Sequence, residues 1–292
     1  MAGKKKSTPI PLQSLDALFG TTSDEQAGIQ QIALDNLHPF SNHPFKVLDD
    51  DKMAELSESV RTHGVLVPGI VRIKDTGGYE IIAGHRRKRA CEIAGLKTMP
   101  VIIKDLTDDE STVIMVDSNI QREQLLPSEK AKAYSMKYEA LKHQGATGGS
   151  SLEKIGDESG ETGKTVQRYI WLSRLCKELM KLVDDGKLGF VQGVDFSFLD
   201  ENDQKTVYAV LRDMGCPVST AQSAKIKEIA KAGKFTRESA IGVLVVVKPK
   251  ARKVTFDAKK LDSYFDPTMT NDDIEELIIK LLEEWKEKGG IG

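Results

Sequence analysis

Ile81-Ile82-Ala83-Gly84-His85-Arg86-Arg87-Lys88-Arg89-Ala90 runs from a β-like apolar stretch through a glycine into a segment rich in arginine. A strand that passes through glycine into a basic helix is an arrangement suited to an oxyanion. The first turn of a helix offers unpaired N–H groups, glycine lets a ligand approach the backbone, and arginine adds two-pronged contacts to phosphate. A solvated basic helix face is the plainer alternative, and the local pattern alone leaves both open.

Ile70 to Lys74 is a second β-like run, joined to Tyr79 to Ala83 through Asp75-Thr76-Gly77-Gly78, which predicts a hairpin. Before it, Met53, Leu56 and Val60 recur at helical spacing between Asp49 and Thr62, and an apolar stretch lies at Ile32 to Leu37. After it, the basic helix ends near Gly95, Val101 to Ile103 predicts a third strand, and Thr107 opens a helix whose acidic first turn suits the helix dipole. The pattern predicts an α/β domain over 29–110.

The whole chain has 292 residues, 39% hydrophobic and 29% charged, long enough for about two domains with a sizeable core. Its longest apolar stretch, Val243 to Val247, is far short of the ~20 residues that cross a bilayer, so no membrane partner is expected. Lys4, Lys5 and Lys6 open the chain, but Pro9, Pro11, Gln13 and Asp16 come before any apolar run can form, against a secretion signal. Cys91, Cys176 and Cys216 form no Cys-x-x-Cys pair, and a reducing cytoplasm is the simplest reading. The net charge of −2 conceals segregation: Arg72 to Lys104 holds eight basic and three acidic residues, Asp105 to Glu129 one and seven. A local basic patch is what nucleotide or nucleic-acid binding needs.

Two further clusters stand out. Ser118-Asn119-Ile120-Gln121-Arg122-Glu123 ends an apolar helix with polar groups able to hold a phosphate or a metal-bound water, against the plain reading of a capped helix end. In Leu152 to Arg174, Gly160 is spaced as the turn glycine of a helix-turn-helix, with Ile155 and small Gly156 in the first helix and Val166 and Tyr169 inward on the second. Lys164, Thr165, Gln167, Arg168 and Arg174 then face outward, types that read base edges and phosphates in a major groove. A helical hairpin is the alternative, and the matched small, turn and apolar positions favour DNA binding.

Gly163-Lys164-Thr165 imitates the end of a phosphate-binding P-loop, but Glu158 stands where its first glycine belongs. His38 and His43 flank prolines without a cysteine or a third histidine nearby, which points to a loop role rather than metal binding. The glycine-rich stretch Gln144 to Ser150 predicts a sub-boundary, after which the pattern is helical to about Ala232 with a turn around Gly186 to Gly193. Beyond Gly242 come two β-like runs, Val243 to Val247 and Val254 to Phe256. The last element is a helix with Ile274, Leu277, Ile278, Leu281, Leu282 and Trp285 on one face and Thr270 with Asp273 spaced as a capping box.

In this order the motifs resemble the ParB family of chromosome and plasmid partition proteins. Ser59 to Pro68, including Gly64, resembles the segment lining that family's nucleotide pocket. Gly84-His85-Arg86-Arg87-Lys88-Arg89-Ala90 resembles its Gly-Glu-Arg-Arg-x-Arg-Ala phosphate motif, and Ser118 to Glu123 its Glu-Asn-x-Gln-Arg-Glu motif. Leu15 to Phe19 resembles the family's peptide for its partner ATPase, ParA. The resemblance implies an α+β chain: a flexible tail over 1–28, a ParB/sulfiredoxin-like domain over 29–110, a helical DNA-binding domain over 111–240 with its helix-turn-helix at about 151–175, and an α+β dimerisation module over 241–292.

It further implies a CTP-dependent clamp on double-stranded DNA, with CTP and Mg²⁺ in the N-terminal domain, a homodimer, a ParA-type partner and a cytoplasmic, nucleoid- or plasmid-associated location. Gly64, Gly84, His85, Arg86, Arg87, Arg89, Asn119, Gln121 and Arg122 would surround the nucleotide, with Asn119 toward the metal. His85 and Ser118 replace the acids of both motifs, which predicts slow or absent CTP hydrolysis and leaves catalytic residues unassigned. A transcriptional or mobile-element maintenance regulator on the same scaffold is the first alternative. A ParB-like nuclease is the second, although only Glu92 lies near the basic patch. Sulfiredoxin chemistry would need a cysteine at Gly84, whereas Cys91 comes two helical turns later.

Overall fold

A computed structural model describes residues 28–74, 77–122, 125–145, 148–215, 217–245, 264–266 and 268–287. Five strands, β1 (Ile29–Ala33), β2 (Leu37–His38), β3 (Gly69–Ile73), β4 (Tyr79–Ala83) and β5 (Thr98–Ile103), form one sheet in the order β1-β5-β3-β4-β2. β3 and β4 pair antiparallel, while β5 runs parallel to β3 and antiparallel to β1. β2 lies parallel to β4.

Side chains alternate across a strand, so β3 and β4 serve two cores at once. Val71 and Ile81 pack with Met53 and Val60 of α1 (Asp51–His63) and Ala90 and Cys91 of α2 (His85–Ala94). Ile70 and Ile82 instead join Phe40, Phe45 and the inner faces of α3 (Asp108–Ile120), α4 (Pro127–His143), α5 (Gly148–Ser159) and α6 (Gly163–Leu172). Each fully buried Ile or Val contributes about 1.5–3 kcal/mol, so this second core binds sheet and helices into one structure. α3 starts where the sequence places it, with Thr107 and Glu110 in a reciprocal capping box.

A third core gathers α7 (Lys177–Asp184), α8 (Phe190–Phe196), α9 (Glu201–Met214), α10 (Thr220–Lys231) and α11 (Arg237–Leu244) around Leu172, Leu179 and Phe196. The chain divides into two compact units after Val245, and α12 (Asn271–Glu287) belongs to the second. In α12 no residue is buried, and Leu277, Leu281, Leu282 and Trp285 are exposed. Thr270 and Asp273 exchange the expected capping bonds at its start.

The structure corrects the sequence pattern at three places. Val243 and Leu244 end α11 rather than begin a strand, because Thr236 caps that helix and Ala240, Val243 and Leu244 point together into the third core. Gly148 opens α5, so the glycine-rich breaker is shorter than its composition suggests. Gly193 sits inside α8 rather than in a turn, and it is glycine there because a Cβ would meet Leu172 and Val183 at 2.9 Å. The run Val254 to Phe256 and the peptide Leu15 to Phe19 lie outside the described residues.

Candidate functional site

β4 delivers Gly84 to the start of α2 with φ 121°, a conformation that side chains disfavour. A Cβ at Gly84 would also stand 3.2 Å from the Cα of Gly69, so conformation and space both ask for glycine. The first residue of the helix turns inward. His85 Nε2 accepts the Phe40 N–H at 3.2 Å, and its ring lies 3.9 Å from that of His43. Burial, then the positive charge of His43, Arg122 and Lys88, pushes the His85 pKa down to about 3. At neutral pH it is therefore an uncharged acceptor, not a substitute for the motif's carboxylate.

His43 is the site residue that its sequence context does not reveal. Its Nδ1–H donates to the Phe45 carbonyl at 2.7 Å, and its buried Nε2 has no hydrogen-bond partner. The loop that carries it is tied down further by Ser41 N–H to Glu80 (3.0 Å) and Lys46 N–H to Glu129 (2.8 Å). Long-range side-chain bonds of this kind leave no local pattern in a sequence.

The arginines separate into two groups. Arg122 lies 5.7 Å from the Phe45 ring centre, close enough to Arg86 that the two charges oppose one another, and burial followed by Arg86 lowers its pKa. Arg86 itself has a long 3.4 Å contact to Asp50. Gly84, His85, Arg86 and Arg122 thus converge. Arg87 turns away to donate to the carbonyls of Val67 (2.7 Å) and Pro68, pinning the segment after Gly64, which caps α1 with φ 72°. Arg89 pairs with Asp49 (2.6 Å) and Glu92 (3.2 Å). Asn119 is buried, donating to the Met115 carbonyl (2.8 Å) and to Ser118 Oγ (3.0 Å), whereas Gln121 is exposed.

Helix N–H groups, a glycine without Cβ and two converging guanidinium groups fit a polyphosphate. Among the described residues no group of three or more His, Cys, Asp or Glu could hold a metal; magnesium, which usually rests on one or two carboxylates together with phosphate oxygens, does not need such a group.

The helix-turn-helix consists of α5 and α6. Gly160 has φ 71°, and a Cβ on Gly156 would lie 2.7 Å from the Glu161 carbonyl, so the turn closes only over a hydrogen atom. Thr162 caps α6 by accepting the Thr165 N–H at 3.2 Å. Ile155, Val166 and Ile170 are buried, and Tyr169 is half-buried against Tyr134 and Phe190. Lys164, Arg168 and Arg174 are exposed, with Thr165 and Gln167 partly so, leaving a basic outer face.

Residues 20–120 match the ParB N-terminal domain. The Stage 0 sporulation protein J of Bacillus subtilis is 35% identical over 181 residues, which cover 62% of this chain and 61% of that protein. The chain thus aligns with about three fifths of that relative's length. The probable chromosome 1-partitioning protein ParB of Deinococcus radiodurans is 32% identical over 219 residues, 73% of each chain. Among solved structures, the C-terminally truncated chromosome-partitioning protein ParB from Caulobacter crescentus, complexed to the centromeric parS site, matches with TM-score 0.43 at 23% identity, covering 70% of this chain and 99% of that one. Among the described residues no helix is long and apolar enough to cross a membrane. The N-terminal domain match, and an alignment that takes in 73% of both this chain and a ParB relative, together place the chain in the ParB family of partition proteins.

Proposed function

We propose that the chain is a DNA-partition protein that recognises a specific double-stranded site through α6, binds CTP at the start of α2, and closes as a homodimer around DNA. The observation that carries the nucleotide half is the convergence of Gly84, Arg86 and Arg122 at a helix N-terminus. In this reading the N–H groups of the first turn and the two arginines hold the triphosphate, and Asn119 with Gln121 completes the pocket. A magnesium ion would arrive with the phosphates. His85 is neutral and already accepts the Phe40 N–H, so it neither charges a water nor orients one, which supports slow or absent hydrolysis.

Lys164, Thr165, Gln167, Arg168 and Arg174 present donors to the major groove and its flanking phosphates. The exposed apolar face of α12 supplies the pairing surface, and Leu15 to Phe19 the contact for a ParA-type ATPase. Without the ATPase the same molecule would be a DNA-bound regulator. Calorimetry of CTP and the other nucleoside triphosphates against the whole chain, with and without DNA fragments from its own replicon, tests the reading. CTP-selective binding altered by one class of fragment is expected, and no CTP binding under either condition would overturn it.

A further inference from the structure

Lys137 of α4 is only 1% exposed, and its ammonium group meets two carboxylates. One is Asp117 of α3 and the other Glu158 of α5, the latter at 2.5 Å. Asp117 precedes Asn119 by two residues, and Glu158 precedes the turn glycine Gly160 by two. Two helical turns away on the same face of α4, Lys130 pairs with Glu161 at 3.0 Å and lies 5.6 Å from the centre of the Tyr169 ring. The two lysines therefore grip the helix-turn-helix on both sides of its turn. Only Lys137 also grips α3.

A buried ion triad is a weak device for stability, because apolar residues of similar shape often do as well. It differs from an apolar contact in resisting sliding. Leu against Ile tolerates a small shift, whereas moving Asp117 off Lys137 strips the ion pair from a largely buried carboxylate and leaves a fully buried ammonium with one partner in place of two. The triad also lies between the two places where the chain meets its proposed ligands: the end of α3, with Asn119 and Arg122, and the turn that aims α6.

We propose that Lys137 is a positioning residue that makes the C-terminal half of α3 and the helix-turn-helix move as one body, so that a ligand seated against Asn119 and Arg122 changes DNA affinity. By linkage, DNA then changes ligand affinity by the same factor. This rests on the nucleotide and DNA reading above.

The test uses the full chain, CTP, and the DNA fragment that the chain itself enriches from its replicon. CTP affinity is measured with and without that fragment, and the ratio is the coupling factor, expected to be about fivefold or more in the unaltered chain. The triple variant Asp117→Asn, Lys137→Met, Glu158→Gln removes every charge of the triad while keeping its shape. It should keep each ligand's own affinity within about threefold and bring the ratio to about one. Lys130→Met with Glu161→Gln, which leaves α3 attached, should keep the ratio. If the triple variant does not unfold cooperatively, Asp117→Leu alone decides, since it removes the acceptor on α3 and leaves Lys137 with Glu158. A ratio unchanged in the folded variant overturns the proposal and leaves the function standing. An unaltered chain that binds no CTP overturns both.

Discussion

Acidification from pH 7.5 to 5 should weaken the fold through His85. A proton on Nε2 would break the bond from Phe40 N–H and place a cation beside His43, Arg122 and Lys88. The folded pKa is about 3, against an ordinary value near 6.5, so between those limits the unfolded chain takes up a proton that the folded one refuses. The stabilisation is complete above about pH 6.5 and is lost progressively as pH falls toward 3. At pH 5 the loss is about 2 kcal/mol, from 1.36 kcal/mol per unit over the interval below 6.5, or about 4–8 °C in Tm for a unit of this size. His43, also lowered chiefly by burial, acts in the same direction. Urea denaturation followed by circular dichroism at pH 7.5, 6 and 5 measures the effect. His85→Gln, which keeps an acceptor for Phe40, should flatten the curve by about 2 kcal/mol and leave the smaller part due to His43. Parallel curves for the two proteins, or an unaltered protein equally stable at pH 7.5 and 5, would refute the argument.

Gly156→Val should force the turn of the helix-turn-helix apart, at a cost of about 1–3 kcal/mol from overpacking, and footprinting should show weakened DNA protection. Arg87→Met should release the carbonyls of Val67 and Pro68, with faster hydrogen exchange over residues 64–67 and a loss of about 1.5–3 kcal/mol per charged bond broken. Leu281→Asp should weaken self-association, read by light scattering; a wild-type chain that stays monomeric at micromolar concentration would contradict the role given to α12.

Motifs that depend on neighbours in sequence are legible. Gly84 before a basic helix, Thr107 with Glu110, and Gly156 with Gly160 each declare themselves through local backbone needs, and the structure uses them so. Features that depend on partners far along the chain are not. Arg87 and Arg89 look identical to Arg86 in sequence, yet the carbonyls of Val67 and Pro68 and the carboxylate of Asp49 take them elsewhere. His43 looks like a loop residue because its partner, His85, is many residues away. Val243 to Val247 has strand composition, but the helix cap at Thr236 and burial against the third core override that preference at Val243 and Leu244. Lys137 looks like any surface lysine until Asp117 and Glu158 close on it.

The order of strands in the sheet has a consequence for synthesis. Among the described residues β1 has a single neighbour, β5, whose register joins Ile29 to Ile102, and β5 also fills the space beside β3. While the chain emerges from the ribosome, the β3–β4 hairpin can zip as soon as it is made, but its β3 edge stays open and β1 has nothing to pair with until Thr98–Ile103 appears. Pairings so distant in sequence are slow, and open edges invite association with other chains in the meantime. The last strand of this sheet to be made is the one that must insert between two others. A nascent chain halted before Thr98 should therefore be cut readily by protease and prone to aggregate, while one extended past the end of α3 should acquire protection over the whole sheet in a single step.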